Sequence, residues 1–548
     1  MLLAIARRAL LAQSCYVRIP GRRLRCISTY GIDPCVREVT SSLARNHPAF
    51  TVSSSKVSIL NEPREFYALL LDMVRRAEHR IFISSLYIGS AESELIDALR
   101  QSLLKKPSLQ LSLQLDLNRS TRPGASSTAK ILLPLIQEFP ERVSISLFRS
   151  PNLRGILARV VPPRFNEGWG TWHAKIYGVD NEVIISGANL NQSYFTNRQD
   201  RYIHFAAQPH LAQYCFDFLR TISTFSYKLC LTSSDLGPHS YQHEGYTLHW
   251  PDSQTHPHYI HQKAEAALST FQTSNRTTHQ LEPSRDEKEL ASTSNGANTD
   301  DVILFPVIQA GQFNIREEES ALALLFRRLS SQPTRMQDSK STGALRPLVD
   351  LTSGYFGLYQ PYQDLVLKND VDTRIVAASP KANGFFGSTG ISGRIPEGYT
   401  LLEQRFMRAV KEAGRAWKSA TSRGVQLSEW ERPGWTYHAK GIWVSPTPSS
   451  PPVLTLFGST NLNSRSAHID TELSFIMVVP SAQDTAKPDS VSSSAQEHDE
   501  PASSTMAIRH QLAEEISRVR AFASDWKGAE RRVRFWTKVI VRLVKGML

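Results

Sequence analysis

Two stretches of this chain hold residue types suited to displacement at phosphorus. One reads GTWHAKIYGVDNEVIISGANLNQSYFTNRQD, from Gly170 to Asp200. The other reads GWTYHAKGIWVSPTPSSPPVLTLFGSTNLNSRSAHIDTE, from Gly434 to Glu472. Each runs through Thr, an aromatic residue and His-Ala-Lys, then an apolar strand, then a small-residue turn ending in Asn-Leu-Asn. The interval from Asn189 to Asp200 is eleven residues, and that from Asn461 to Glu472 is again eleven. The insert PTPSSPP, read as a hairpin loop, lengthens only the strand region of the second copy.

Side chains two apart on an extended chain leave the same face. His173 and Lys175 should therefore enter one cavity together, as should His438 and Lys440. The turn residues Asn189 and Asn461 would add hydrogen-bond donors. Two such units facing each other place two imidazoles, two ammoniums and two amides around one phosphate. One histidine can then attack phosphorus while the other protonates the leaving oxygen, and the cations stabilise the equatorial oxygens. Asp200 and Glu472 are placed to hold the rings in the reactive tautomer. A single HAK would carry no such reading; the matched duplication carries it. No metal or cofactor is expected, because the lysines supply the neutralisation that Mg²⁺ gives other phosphoryl-transfer sites.

The elements that must position these residues also repeat. Residues 66–79 read as an amphipathic helix, followed by strands at 80–89 and 109–117, a helix near 126–138 and a strand at 143–148. The second unit offers a helix at 318–329, a strand at 348–357, a helix near 361–369, a strand at 374–379 and a helix at 402–413. Strands alternating with helices predict an α/β fold, two pseudo-symmetric halves with mixed sheets flanked by helices and one shared active site. Polar stretches at 271–300, 330–346 and 481–505 read as linkers or loops. They divide the chain into a first half at 45–270, a second at 301–480 and a helical tail at 506–548. Trp172 and Tyr437 either line the site or, as is commoner for such strand residues, pack on the opposite face.

The net charge of +12 sits at the two ends. Residues 1–32 hold six Arg and no acid, and residues 527–548 hold seven Lys/Arg against Glu530, so the body between them is close to neutral. A nucleic-acid groove would be basic in its body, so no nucleic-acid partner is expected. The arginine-rich, acid-free start has the composition of a mitochondrial transit peptide. The tail from Arg531 to Leu548 reads as a basic amphipathic helix, with Val533, Trp536, Ile540, Val544 and Met547 on its apolar side. Such a helix either anchors at an anionic membrane surface or docks on the protein core. No run approaches the ~18–20 apolar residues of a membrane-spanning helix. The five cysteines form no CxxC or CxxH pair, which points to a reducing compartment.

His173-x-Lys175-x4-Asp180 followed by SGANLN is similar to the HKD signature of the phospholipase D superfamily, and His438-x-Lys440 with GSTNLNSRS resembles its partner. The resemblance implies that Asp180 belongs with the histidine and lysine pairs as a catalytic-motif residue. Ser445 stands where the second copy would carry its aspartate, which favours His173 as nucleophile. The incomplete second motif, the run Tyr194–Tyr202 and the basic N-terminus together resemble the eukaryotic phosphatidylglycerophosphate synthase family. That resemblance implies CDP-diacylglycerol as donor, sn-glycerol 3-phosphate as acceptor, a phosphohistidine intermediate and a peripheral position on the matrix face of the mitochondrial inner membrane. The alternatives are another phosphatidyltransferase of this fold (a phosphatidylserine or cardiolipin synthase), a phospholipid hydrolase, a DNA-end phosphodiesterase and a non-catalytic scaffold.

Overall fold

A computed structural model describes residues 31–279, 301–331, 346–481, 504–543 and 546, apart from 125, 164, 233–236 and 420–422. Within each half, three parallel strands run into an antiparallel set that begins with the motif strand. In the first half, Arg80–Ser84, Gln110–Asp116 and Val143–Phe148 are parallel, and Ile176–Val179, Glu182–Ser186, Tyr202–Phe205 and Val57–Leu60 follow antiparallel. In the second, Leu348–Ser353, Asp372–Ala378 and Val425–Trp430 are parallel, followed by Lys440–Ser445, Leu454–Gly458, Glu472–Val478 and Asp301–Ala310. The order is the same, which makes the halves pseudo-symmetric. The insert before Leu454 is a hairpin loop, as expected, because Val444 pairs with Leu454 across it.

Local chemistry explains the helices that cover the sheets. Pro63–Arg76 starts with Pro63 in its first turn and a capping box between Glu62 and Glu65. Phe66, Leu70, Met73 and Val74 fall at helical spacing on its buried side. Burying each such side chain contributes roughly 1.5–3 kcal/mol. Where the sheets of the two halves meet, Phe205 stacks on Phe457 at 6.2 Å between ring centroids.

The boundaries expected from the polar stretches need correction. Helix Pro34–Asn46 packs in the core of the second half. Strand Phe50–Ser53 pairs with Asp301–Ala310 while its Phe50 and Val52 side chains pack in the core of the first half, so the chain before Val57 bridges the two. Helix His261–His279 runs into the segment taken as a linker from 271. It does so because Phe271 is buried and the Gln272 amide joins Tyr214 to Glu317, giving this part of the polar stretch a packed partner. Helix Ser504–Ala521 crosses back to the first half, where Ile508, Leu512 and Ile516 join the core. The tail helix is Phe535–Leu543; Val533 and Val541 dock on Leu401 while Phe535 and Trp536 are exposed. The apolar side expected for this helix is divided, with Val533 on the protein and Trp536 in solvent, while Thr537 and Val541 are the buried residues of the helix itself. The expected transit peptide, the loop at 482–503 and the calls on Val544 and Met547 lie outside the described residues. Among the described residues, no helix is long and apolar enough to cross a membrane.

Candidate active site

Each motif enters the site from an extended segment that is hydrogen-bonded to the opposite half. The His173 amide donates to the Thr471 carbonyl at 3.0 Å, and the His438 amide to the Gln199 carbonyl at 2.8 Å. The aromatic residues before them point into the cores. Trp172 donates its indole N–H to Ser84 Oγ at 2.8 Å, and Tyr437 stacks on Trp430 at 4.8 Å. His173, Lys175, His438 and Lys440 are all buried, with 8% of His173 and 3% of His438 exposed.

The acids that hold the histidines are exchanged between the halves. His173 Nδ1–H donates to both oxygens of Glu472, at 3.0 and 2.9 Å, and His438 Nδ1–H donates to Asp200 Oδ2 at 2.6 Å. Each copy of the repeat thus orients the ring of the other, so neither half is a complete site. In this tautomer each Nε2 carries the lone pair. Among the described residues His173 Nε2 has no hydrogen bond, whereas His438 Nε2 lies 3.3 Å from the Tyr194 hydroxyl. Tyr194 in turn accepts from Asn189 Nδ2 at 3.2 Å.

Lys175 Nζ donates to the His173 carbonyl at 2.6 Å. Lys440 Nζ lies 3.2 Å from both Asp200 Oδ2 and the Gly187 carbonyl, and 2.7 Å from His438 Nδ1. A Cβ on Gly187 would fall 2.5 Å from Lys440 Nζ, so the glycine of SGAN is what admits this ammonium. Asn461 Oδ1, an acceptor, is buried without a hydrogen-bond partner among the described residues.

Burial is the largest influence on every ionisable group here. It lowers His173, with the Lys175 charge adding to the effect against Glu472. It lowers His438 further, helped by Lys440. Burial thus disfavours the charged form of both imidazoles, against the pull of Glu472 and Asp200. Lys175 is lowered to about 7 by burial and by the nearby Lys440 ammonium, against the pull of Glu472. Burial raises Glu472 as well, but His173, Lys175 and Ser459 outweigh it and lower the carboxyl. Asp200 is likewise lowered, burial being outweighed by Lys440 and His438.

Asp180, grouped with the catalytic residues on the resemblance, lies outside this cluster. It occupies the turn between Ile176–Val179 and Glu182–Ser186 with φ 50°. Its carboxylate accepts the backbone N–H groups of Glu78, His79 and Arg80, each at 2.9 Å. These hydrogen bonds pin the turn after the motif strand to the start of Arg80–Ser84. In the second half Ser445 is followed by the longer loop instead of a tight turn, so the same pin has no turn to close.

Three neighbours had no role assigned from sequence. Arg201 makes a buried bidentate pair with Glu515 at 2.7 and 2.8 Å and lies 3.9 Å over the Trp443 ring. Asp470 accepts from the Thr171 backbone and hydroxyl at 2.8 and 2.9 Å and pairs with Arg465. Arg198 donates to Thr436 Oγ1 at 2.9 Å. Counting nine residues past each motif asparagine would have marked Arg198 and Asp470 as equivalents; nothing in the sequence marked Glu515.

Two paired half-sites on this sheet topology define a phospholipase-D-type fold. A phosphatidylserine synthase from Haemophilus influenzae Rd KW20 shares that fold, with a TM-score of 0.60 at 17% identity over 94% of this chain and all of that one. No established family profile matches the chain. Curated relatives do match, among them three called CDP-diacylglycerol–glycerol-3-phosphate 3-phosphatidyltransferase. The Mus musculus protein is 37% identical over 79% of this chain and 76% of its own length, and the Homo sapiens protein 34% over 91% and 84%. The Schizosaccharomyces pombe protein is 35% identical over 79% and 86%. The chain belongs to the CDP-diacylglycerol–glycerol-3-phosphate 3-phosphatidyltransferase family. The two animal relatives are named as mitochondrial, which supports a mitochondrial location for this chain.

Proposed function

We propose that this chain transfers the phosphatidyl group of CDP-diacylglycerol to sn-glycerol 3-phosphate in two displacements at one phosphorus. In the first, the His173 Nε2 lone pair forms a bond to the phosphorus bearing diacylglycerol. The bond to the bridging oxygen breaks and its electron pair leaves with CMP. In the second, His438 takes the proton of the glycerol C1 hydroxyl. That oxygen bonds to phosphorus, the phosphorus–nitrogen bond breaks, and His173 regains its lone pair. The products are phosphatidylglycerophosphate and CMP. Lys175, Lys440, Asn189 and Asn461 face the non-bridging oxygens, whose charge also favours the protonated form of His438 when CMP departs. Glu472 and Asp200 fix the two tautomers.

The observation that carries this reading is the crossed pair of acid–histidine contacts, which gives two oriented imidazoles of unequal access in one site. The more exposed ring, with a free Nε2, suits attack; the ring hydrogen-bonded to Tyr194 suits proton transfer. The test follows CMP release from CDP-diacylglycerol in mixed micelles with glycerol 3-phosphate, serine, phosphatidylglycerol or no acceptor. Multiple-turnover release dependent on glycerol 3-phosphate, lost in His173→Ala and reduced to at most one CMP per enzyme in His438→Ala, supports the reading. Release driven by another acceptor or by water contradicts the choice of substrate.

The surface supports a peripheral position on an anionic membrane, here the matrix face of the mitochondrial inner membrane. Ile156, Leu157 and Val160 are exposed on helix Gly155–Val160, which has no buried residue and leads toward His173. Phe535 and Trp536 are exposed beside Arg534 and Lys538 on the tail helix. Apolar side chains among basic ones suit an anionic interface. Flotation with vesicles containing anionic lipid should weaken when Ile156 and Trp536 are replaced by Ser, and unchanged flotation would contradict this placement.

A further inference from the structure

The arginines around the site differ in one respect. Arg465 is paired with Asp470, Arg201 with Glu515, and Arg122 with Glu167. Arg198 is only partly exposed, yet it makes no ion pair with a carboxylate among the described residues. Its Nε is fixed on Thr436 Oγ1 at 2.9 Å, and its guanidinium lies 4.5 Å from the centre of the Tyr194 ring. The hydroxyl of that ring is the one 3.3 Å from His438 Nε2. The guanidinium therefore stands one aromatic ring away from the nitrogen assigned to move the proton.

A second group converges on it. Tyr355 packs edge-on against His438 with centroids 5.3 Å apart, and its hydroxyl has no hydrogen-bond partner among the described residues. A Cβ on Gly384 would fall 3.1 Å from Arg198 Nη2 and 2.9 Å from the Tyr355 hydroxyl, so both groups border the same small volume. A fixed guanidinium and a phenol, with no carboxylate to neutralise them, match a phosphate monoester. On the reading above, two such phosphates visit the His438 side, that of departing CMP and that of the acceptor. The acceptor's phosphate is set back from its reacting hydroxyl by three carbons, as Arg198 is set back from His438 by a ring.

We propose that Arg198 and Tyr355 form an anion subsite that takes the phosphate of the acceptor and selects glycerol 3-phosphate over glycerol. The inference rests on the acceptor reading given above. It also accounts for the repeat: the position that holds Asp470 in one copy holds Arg198 in the other, and only the copy facing the acceptor leaves its charge open.

The test uses the full-length enzyme and compares glycerol 3-phosphate with glycerol as acceptor. Arg198→Ala should raise KM for glycerol 3-phosphate by about 10²-fold, in line with losing a charge-assisted pair, and the preference over glycerol should fall by the same factor. Arg198→Lys should recover part of it, and Tyr355→Phe should show a smaller loss of the same kind. Melting temperatures of the variants report folding separately. An unchanged preference in Arg198→Ala overturns the subsite. An equal loss in the exchange of CMP with CDP-diacylglycerol overturns the acceptor assignment and gives the subsite to CMP. If the wild type uses neither acceptor, the functional reading has failed, and calorimetric titration with inorganic phosphate still decides the subsite. Binding by wild type and not by Arg198→Ala supports it; equal binding, or none by either, overturns it.

Discussion

Nine residues past the asparagine of each motif the two halves carry opposite charges, Arg198 in the first and Asp470 in the second. Five past it they carry Tyr194 and Ser466, and two before it Gly187 and Ser459. The frame is common to both, but the surroundings of the two histidines are not. Around His173 the polar groups are satisfied internally: Ser459 and Ser466 both donate to Glu472, and Asp470 is paired with Arg465. Around His438 the larger Tyr194 reaches the ring, Gly187 admits Lys440, and Arg198 keeps an open charge. A duplicated unit thus yields two oriented rings in different surroundings. Among the described residues, His173 has a free Nε2 amid internally satisfied groups, and His438 is hydrogen-bonded to Tyr194 beside an arginine that pairs with no carboxylate.

Removing either ring should have the largest effect. His173→Ala and His438→Ala are each expected to lower kcat by about 10³-fold or more, read as phosphatidylglycerophosphate formed per unit time. The defects should differ in kind. His173→Ala should abolish exchange of CMP with CDP-diacylglycerol, whereas His438→Ala should chiefly block transfer to the acceptor. Identical defects would erase the distinction between the halves.

The crossed acids give the next effect. Glu472→Gln should reproduce the His173 defect and Asp200→Asn the His438 defect, each by about 10²-fold, since a mis-set tautomer leaves the ring in place but inactive. Double-mutant cycles should couple Glu472 to His173 and Asp200 to His438. Coupling within each half instead of across them would contradict the geometry.

A smaller effect should appear against pH. Lys175 is lowered to about 7, first by burial and then by Lys440. As pH rises through that value it loses its charge, so kcat/KM should fall on the alkaline side, and the limb should be absent in Lys175→Arg. A profile in which the wild type shows no alkaline fall between pH 7 and 9, a window about two units above that value, would contradict a depressed lysine.

The smallest effect on chemistry should come from Asp180. Its carboxylate accepts three backbone N–H groups. Asp180→Ala should cost about 2–3 kcal/mol of stability, measured by denaturant unfolding, with kcat of the folded enzyme within a few-fold of wild type. Ser445→Asp should add no comparable stability, because no tight turn follows it. A catalytic loss in Asp180→Ala without loss of stability would return that residue to the chemistry.

Much of this is legible in the sequence. The motif pairs, the α/β halves and most of the motif-bearing strands follow from spacing and period, because strand alternation and the HAK repeat are local signals. The division of labour was less legible. Asp200 and Glu472 were identifiable as orienting acids, but their exchange between halves depends on the segments Thr471 and Gln199 crossing to the other motif. Helix Pro34–Asn46, strand Phe50–Ser53 and helix Ser504–Ala521 pack far from their sequence neighbours, and long-range packing leaves no periodic mark. Glu515 was silent for that reason. Arg198 was visible only as one arginine in a polar run until its missing partner could be seen.

The most direct test of the central claim is mass spectrometry of His438→Ala enzyme quenched after mixing with CDP-diacylglycerol. Loss of the second base should let the first displacement proceed and stall the second. The expected result is a phosphatidyl adduct on His173, with CMP released in equal amount. An adduct on another residue, or CMP-dependent exchange without any adduct, would contradict the assignment of attack to the first half.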